Sequence, residues 1–244
     1  MRAIQNHTIP DLVEACHKPG CPICRLEQGA VERYLKDLFE TRYHETDIRT
    51  LLRVVKGFCK EHSWLANELG LGSTFGAVII YHDLLWTALD DIKKFNSSLS
   101  SKRSFSTVER ILLRLGFRRV TATSSDVPSR CPACIEQGAA AHAALGVLAS
   151  GLKDDTFLVA FRESTGLCLP HLHQALALPP DAETVQALVS ISNEKLETLR
   201  KQVTAFIREN EYKTPEQIRD IEKNFWPQVV GVISGYDLMS KKKG

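Results

Sequence analysis

Cysteine and histidine side chains at short, regular spacings are the residues of this chain that point most directly to chemistry. Cys21-Pro-Ile-Cys24 is a Cys-x-x-Cys pair, and Cys59-Lys-Glu-His62 follows it as a Cys-x-x-His pair. Thiolate sulfur and imidazole nitrogen are donors that zinc prefers, and three sulfurs with one nitrogen complete a tetrahedral site. No position is then left for water. The spacing therefore predicts a closed, structural metal site rather than a hydrolytic one.

The same two motifs occur again about half a chain later. A Cys-Pro-x-Cys motif begins at Cys131 and a Gly-x-Cys-x-x-His motif begins at Gly166, as they do at Cys21 and Gly57. Such self-similarity predicts an internal duplication with one complete metal site in each copy. The predicted ligands are Cys21, Cys24, Cys59 and His62 in the first copy and Cys131, Cys134, Cys168 and His171 in the second.

Two other chemistries stay open for these cysteines. Cys16, Cys21 and Cys24, followed at a distance by Cys59, reproduce the spacing of a plant-type iron–sulfur ligand set. The second copy has Asp126 at the position of Cys16, which favours zinc and makes Cys16 a structural or accessory thiol. A Cys-x-x-Cys pair can also act as a redox switch. We therefore predict two zinc ions per chain, with an iron–sulfur cluster or a thiol switch as the alternative.

The segments that must position these ligands have helical periodicity. Apolar residues recur at steps of three and four over 74–95, and a similar stripe runs over 182–209. Shorter helices are predicted over 47–56 and 153–163, after each Cys-Pro-x-Cys pair, and from each Cys-x-x-His pair onward. Alternation typical of strands is missing from the sequence. The predicted fold is all-α, with two tandem metal-stapled helical repeats related by internal duplication.

The duplication also predicts the domain boundaries. The first helical Cys3His repeat is expected over 1–96, a Ser-rich linker and a basic helix over 97–130, and the second repeat with a C-terminal helix over 131–244. The linker is placed from Asn96 onward because of its serines, and Ser106-x-x-Glu109 is a capping box for the basic helix. A further capping box begins at Thr214, and the segment after it is predicted to fold back onto the core.

Composition narrows the class of protein. A chain of 244 residues with 43% hydrophobic and 25% charged residues is typical of a globular protein. The net charge of +2 provides no general attraction for nucleic acid, and the basic residues over 102–119 are interpreted as a solvated face. The N-terminus lacks the apolar segment of a secretory signal, and no apolar run is long enough to span a bilayer. We therefore expect a cytoplasmic protein that does not act at a membrane.

Three other histidines are weighed against the eight predicted ligands. His82 lies on the apolar stripe of the 74–95 helix, which favours a hydrogen-bonded core residue. His173 has no counterpart in the first copy, where Trp64 takes its place, so it is predicted to lie beside the site or at the surface. His7 is assigned no role from its position.

The arrangement of motifs resembles an uncharacterised prokaryotic family of small cytoplasmic helical proteins with an early His-Thr-Ile-Pro and paired Cys-Pro-x-Cys and Gly-x-Cys-x-x-His motifs. The residues that carry the resemblance are His7 to Pro10, Cys21 to Cys24, Gly57 to His62, Cys131 to Cys134 and Gly166 to His171. The resemblance supports metal binding and implies no particular reaction.

The functional hypothesis that these observations favour is a non-catalytic, zinc-stabilised helical adaptor or regulatory protein that binds another protein. The sequence has no Gly-rich phosphate loop and no Ser/His/Asp arrangement in a recognisable context, so enzymatic activity is disfavoured but left open. The alternative is a redox or metal-handling protein that carries an iron–sulfur cluster or acts as a thiol switch. A nucleic-acid partner is disfavoured, and the sequence leaves the oligomeric state open.

Overall fold

A computed structural model describes residues 7–100, 131–178, 181–210 and 226–236. Within these ranges all regular elements are helical and there is no strand, which confirms the predicted all-α class. The α-helices are α1 (Ile9–Cys16), α2 (Pro22–Asp37), α3 (Thr46–Val55), α4 (Lys60–Glu68), α5 (Phe75–Ser100), α6 (Pro132–Gly151), α7 (Asp155–Glu163), α8 (Leu169–Ala177), α9 (Ala182–Asn210) and α10 (Trp226–Ser234). A π-helical segment (Leu38–Arg42) and a 3₁₀ turn (Leu71–Ser73) complete them.

The chain divides into two compact units. Unit 1 comprises Met1–Arg33 and Ile135–Gly244, and unit 2 comprises Tyr34–Cys134. Helices α2 and α6 each cross from one unit to the other along the chain. The compact units therefore do not coincide with the halves 1–96 and 131–244, and the duplication stays a prediction from the sequence.

The predicted helix positions agree closely with the structure. The helices expected over 47–56, 74–95, 153–163 and 182–209 are α3, α5, α7 and α9. One boundary is wrong, because α5 continues through Ser100 where a linker was expected from Asn96 onward. Extending an existing helix costs far less than starting one, so a few serines do not end it. The basic helix near 107–115 and the capping box at Thr214 lie outside the described residues.

Unit 1 has a core to which α1, α6, α7, α8 and α9 contribute. Helix α1, which the sequence analysis did not predict, begins with a capping box: the Thr8 hydroxyl accepts from the Asp11 N–H at 3.4 Å, and the Asp11 carboxylate accepts from the Thr8 N–H at 2.8 Å. Helix α1 packs against α7, where Phe157 and Phe161 stack with their ring centroids 5.6 Å apart. Both rings are fully buried, so this packing is a main source of hydrophobic stabilisation for the unit.

In unit 2, α5 packs against α3 and the π-helical segment. The approach to the π-helical segment requires a glycine, since a Cβ on Gly76 would lie 1.9 Å from the Phe39 carbonyl oxygen. The Asp83 carboxylate on α5 accepts from Arg49 Nε at 2.9 Å and from Arg53 Nη2 at 2.6 Å. Burial alone would raise the pKa of Asp83, but these hydrogen bonds outweigh it and lower the pKa. The ion pairs therefore fasten α3 to α5.

Helix α5 is buried on one face only. Ala77 and Ile80 face the interior of unit 2 and are almost fully buried. Large apolar side chains on the opposite face are exposed, and we call this set the outer stripe: Phe75, Val78, Leu85, Trp86, Leu89 and Ile92. His82 lies among them and is exposed, so the expectation of a core histidine is wrong; its Nε2 accepts from Trp86 Nε1 at 3.2 Å. The apolar period located the helix correctly but did not show which face turns inward, because both faces carry apolar residues.

Across the part of the chain that the structure describes, no helix combines the length and the apolarity needed to cross a bilayer.

Candidate metal centres

The eight cysteines and histidines predicted as ligands come together in two groups of four. The buried cluster consists of Cys21, Cys24, Cys168 and His171, and the half-buried cluster consists of Cys59, His62, Cys131 and Cys134. In each cluster, one donor atom from every residue lies within 4.8 Å of the others. The buried cluster belongs to unit 1 and the half-buried cluster to unit 2. Both groups have the predicted composition of three cysteines and one histidine.

The predicted grouping of these ligands within each sequence copy is wrong. The pair that begins at Cys21 lies beside the pair that begins at Cys168, and not beside the pair that begins at Cys59. Each copy offers the same two half sites, so residue type and spacing are equally satisfied by either combination. Helix packing decides between them, because the chain segments around Cys21 and Cys168 fold into the same compact unit.

Each cluster forms where two helices begin. Helices α2 and α6 begin at prolines directly after Cys21 and Cys131, as expected for a residue that presets the first helical φ angle. Cys168 is the N-cap residue of α8 and Cys59 is the N-cap residue of α4, which confirms that each Cys-x-x-His pair opens a helix. The free N–H groups and the positive end of the dipole at a helix N-terminus stabilise thiolates.

A glycine sets the turn that leads into each Cys-x-x-His pair. Gly57 and Gly166 have φ angles of 96° and 80°, a left-handed conformation in which a Cβ is strained. A Cβ on Gly166 would also lie 2.6 Å from the Cδ atom of Lys195. These constraints account for the glycine two residues before the N-cap cysteine in both motifs.

The imidazole of His171 lies at the centre of the contacts in the buried cluster. Its Nδ1 atom is 3.2 Å from Cys168 Sγ, 3.4 Å from Cys24 Sγ and 3.6 Å from Cys21 Sγ. The sulfur atoms of Cys24 and Cys168 are 3.7 Å apart. The four donor atoms therefore surround one point from different directions.

The half-buried cluster has nearly the same internal distances. His62 Nδ1 is 3.2 Å from Cys59 Sγ, 3.4 Å from Cys134 Sγ and 3.6 Å from Cys131 Sγ. The Cys59 and Cys134 sulfur atoms are 3.6 Å apart. Each of these four distances differs by no more than 0.1 Å between the two clusters when residues at the same motif position are compared.

These separations fit four ligands of one small ion. With zinc–sulfur bonds of about 2.3 Å and zinc–nitrogen bonds of about 2.0 Å, a tetrahedral site has sulfur–nitrogen edges of about 3.5 Å and sulfur–sulfur edges of about 3.8 Å. A disulfide would bring two sulfurs to about 2.05 Å, and all the cysteines are free. Both clusters can therefore hold a single metal ion without a large rearrangement.

A carboxylate that the sequence analysis did not single out as functional supports the buried cluster. Glu27 Oε1 lies 3.2 Å from Nε2 of His171, and the Glu27 side chain is only 13% exposed. A carboxylate in this position keeps the ring proton on Nε2, which leaves Nδ1 free to bind metal. The sequence carries a signal for it, because Glu27-Gln-Gly-Ala after the first Cys-Pro-x-Cys pair recurs as Glu136-Gln-Gly-Ala after the second.

The C-terminal part of the chain also contacts the buried cluster. The backbone N–H of Tyr236 donates to Cys24 Sγ at 3.5 Å, and α10 packs against α8. This placement agrees with the prediction that the C-terminal segment folds back onto the core. Burial raises the pKa of the Tyr236 hydroxyl to about 12, so this side chain stays neutral beside the thiolates.

The protonation of the buried cluster shows how strongly its members interact. Hydrogen bonds from Cys21 and Cys24 lower the pKa of Cys168, while burial raises the pKa of Cys21 well above its ordinary value. Burial opposes the charged form of His171, but hydrogen bonds with Cys168, Cys24 and Glu27 raise its pKa to about 12. These shifts favour negative charge on Cys168 and positive charge on His171. Binding of a cation displaces protons from these groups, so metal affinity falls as the pH falls.

The half-buried cluster has a similar imbalance between its cysteines. Burial would raise the pKa of Cys131, but hydrogen bonds from His62 and from backbone N–H groups lower it to about 6. Burial and the neighbouring thiols Cys59 and Cys131 raise the pKa of Cys134 to about 12. These shifts favour ionisation of Cys131 before Cys134.

Cys16 belongs to neither cluster. Its side chain is buried in the core of unit 1, and burial raises its pKa to about 11. The plant-type iron–sulfur ligand set also requires Cys59 beside Cys21 and Cys24. Cys59 lies in the half-buried cluster and the other two lie in the buried cluster, so this ligand set is wrong. His173 is exposed, which agrees with the expectation that it lies beside the site or at the surface. His7 is buried outside both clusters, and burial lowers its pKa.

Removal of the Glu27 carboxylate is expected to weaken metal binding at the buried cluster alone. Glu27→Ala should lower the affinity of that site by about 10- to 100-fold, because His171 loses the partner that orients it. Competition with a chromophoric chelator measures the two affinities in each chain. Glu14→Ala is the matched control, since Glu14 pairs with Lys18 on the exposed side of α1. Equal affinities for Glu27→Ala and the unaltered chain would show that the carboxylate has no part in metal binding.

Comparison with known protein families gives a match. The model of the family described as "Family of unknown function (DUF6062)" matches residues 2–223, nearly the whole chain. No curated protein and no solved structure matches. The match confirms the resemblance to an uncharacterised family; that the family is prokaryotic and that the paired motifs define it stay predictions.

Proposed function

Because the chain belongs to this family of unknown function, its role must come from its own residues, and we propose that it is a non-catalytic helical adaptor or regulatory protein held together by two zinc ions. One ion would bind in the buried cluster and one in the half-buried cluster. The observation that carries the proposal is the pair of Cys3His groups, each with its four donor atoms within 4.8 Å.

A structural role for the ions is supported by the number and origin of their ligands. Four protein donors complete a tetrahedral shell and leave no coordination position for a substrate. The ligands in the buried cluster come from segments 144 to 150 residues apart, and those in the half-buried cluster from segments 69 to 75 residues apart. A link across such long loops restricts the unfolded chain strongly, so each ion would stabilise the fold of its unit.

Zinc is favoured over iron–sulfur chemistry by the spacing of the donors. A cluster of several iron and sulfide ions distributes its ligands over more than one iron and so holds some of them farther apart than the ligands of one ion, whereas all four donor atoms of each group here lie within 4.8 Å of one another. Free cysteines in this number are typical of the reducing cytoplasm, where we place the protein. Association with a protein, whether a different protein or a second copy of this chain, is supported by the outer stripe, since exposed apolar surface of this extent usually marks an interaction site.

Metal analysis of protein purified without oxygen tests the proposal. We expect colourless protein with two zinc ions per chain, and cobalt substituted at both sites should give the absorption of tetrahedral thiolate coordination. Cys16→Ala is the matched control and should retain both ions, because Cys16 lies outside the clusters. Brown protein with iron and sulfide would instead support the redox or metal-handling alternative, and protein without any metal would remove the structural role.

A further inference from the structure

Helix α5 presents a continuous apolar surface on the face directed away from the core of unit 2. Each side chain of the outer stripe is more than half exposed, from 51% for Leu89 to 71% for Phe75. A helix of 26 residues is about 39 Å long, and the stripe follows most of that length. A helix that is apolar on two opposite faces is normally buried on both. Among the residues that the structure describes, none covers the outer stripe as its composition requires.

The spacing of the stripe is that of a coiled-coil seam. Val78, Leu85 and Ile92 recur every seven residues, and His82 and Leu89 form a second row at the same interval. Alternating steps of four and three are the pattern by which one helix packs its side chains between those of another. His82 does not interrupt this row, because its ring accepts the hydrogen bond from Trp86 within the same helix.

Apart from Lys93, the charges of α5 lie away from the outer stripe. Asp83 is paired with Arg49 and Arg53 of α3, and Asp90 is paired with Lys94 one turn along the helix. Lys93 lies beside the stripe with its ammonium group 5.9 Å from the centre of the Trp86 ring. The surface therefore offers no set of charges for an oppositely charged partner and matches a helix that is itself apolar at this spacing.

From this spacing and composition we propose that the outer stripe is the interface between two copies of this chain, with α5 packed against α5 of the second copy about a two-fold axis. A two-fold interface needs a surface that is complementary to itself, and a heptad row of medium-sized apolar side chains meets that requirement. The six side chains expose roughly 600 Å² of apolar surface. Two copies would bury about 1,200 Å² in total, the lower limit for specific, stable interfaces. The proposal does not depend on the metal ions.

Sedimentation equilibrium of the full-length chain tests the proposal. The unaltered protein should have twice the chain mass at micromolar concentration. Leu85→Glu with Leu89→Glu should raise the dissociation constant of the dimer at least 100-fold, because four carboxylates would be placed in one apolar seam. Val159→Glu is the matched control: Val159 is equally exposed but lies on α7 in unit 1, and its substitution should leave the dimer intact.

Helicity, metal content and hydrogen exchange complete the test. The double variant should keep the helicity and the metal content of the unaltered chain, so that loss of the dimer is separated from unfolding and from failure of the metal proposal. Unaltered protein that stays monomeric up to about 100 µM, well above the dissociation constants of stable complexes, would overturn the inference. A dimer that survives the double substitution would overturn it as well. For a monomer, a rise in hydrogen exchange over residues 101–130 in the double variant would identify that segment as the occupant of the stripe.

Discussion

A chain with Cys21→Ala and Cys168→Ala is expected to retain one of two zinc ions, whereas a chain with Cys21→Ala and Cys59→Ala is expected to retain none. Cys21 and Cys168 belong to the same buried cluster, so the second substitution removes nothing further. Cys59 belongs to the half-buried cluster, so its loss empties the other site. Metal content after equilibration with a competing chelator gives the count directly.

The two double variants control for each other. Both remove two thiols, and both retain Cys16, so a difference in metal content reports the grouping of the ligands and not the number of cysteines. The opposite result, with no ion in the first chain and one in the second, would mean that each sequence copy builds its own site. In the chain that keeps one ion, unit 2 should remain folded while unit 1 loses its tertiary structure. The lost binding free energy of about 10–16 kcal/mol is comparable to or larger than the roughly 5–15 kcal/mol that stabilises a typical domain.

Stepwise removal of metal is expected to unfold the two units in a fixed order. A strong chelator should take the ion from the half-buried cluster first, because Cys59 and Cys134 are partly exposed whereas all four ligands of the buried cluster are buried. Glu27 and the Tyr236 N–H further hold the ligands of the buried cluster. Loss of each ion should abolish the protection of the helix that its Cys-x-x-His pair opens.

Hydrogen exchange over α4 and α8 measures this order. The two helices are matched, since both have nine residues, a cysteine as N-cap and the histidine ligand at the same position. Protection should vanish in α4 at a chelator concentration that leaves α8 protected, and added zinc should restore both. Simultaneous loss in the two helices would show that burial does not control release, and unchanged protection after complete removal would show that the fold does not need the ions.

The positions of most helices and the identity of the ligand residues could be predicted from the sequence. The grouping of the ligands into two clusters could not. Helices α3, α5, α7 and α9 follow from the apolar period, and the ligand residues follow from the repeated motifs. Helix α1 is missing from the sequence prediction although Thr8 and Asp11 form a capping box, because eight residues are too few for the period to be visible. The partner of the Cys21 pair depends on contacts between segments more than 140 residues apart, which no local pattern encodes. The outward face of α5 could not be predicted because apolar residues lie on both faces of this helix, Ala77 and Ile80 inside and the outer stripe outside.

The crossed grouping of the ligands has a consequence for the chain during its synthesis. By the time His62 has left the ribosome, the nascent chain already contains Cys21, Cys24, Cys59 and His62, a complete Cys3His set whose members lie in different clusters of the folded protein. Chains emerge from the N-terminus at about 5–20 residues per second, so the correct partners at Cys168 and His171 follow roughly 5 to 20 seconds later. With zinc as the ion, as we propose, an ion captured early would have to exchange ligands before unit 1 can close. The cellular supply of zinc would then act on how fast this protein matures as well as on how stable it finally is.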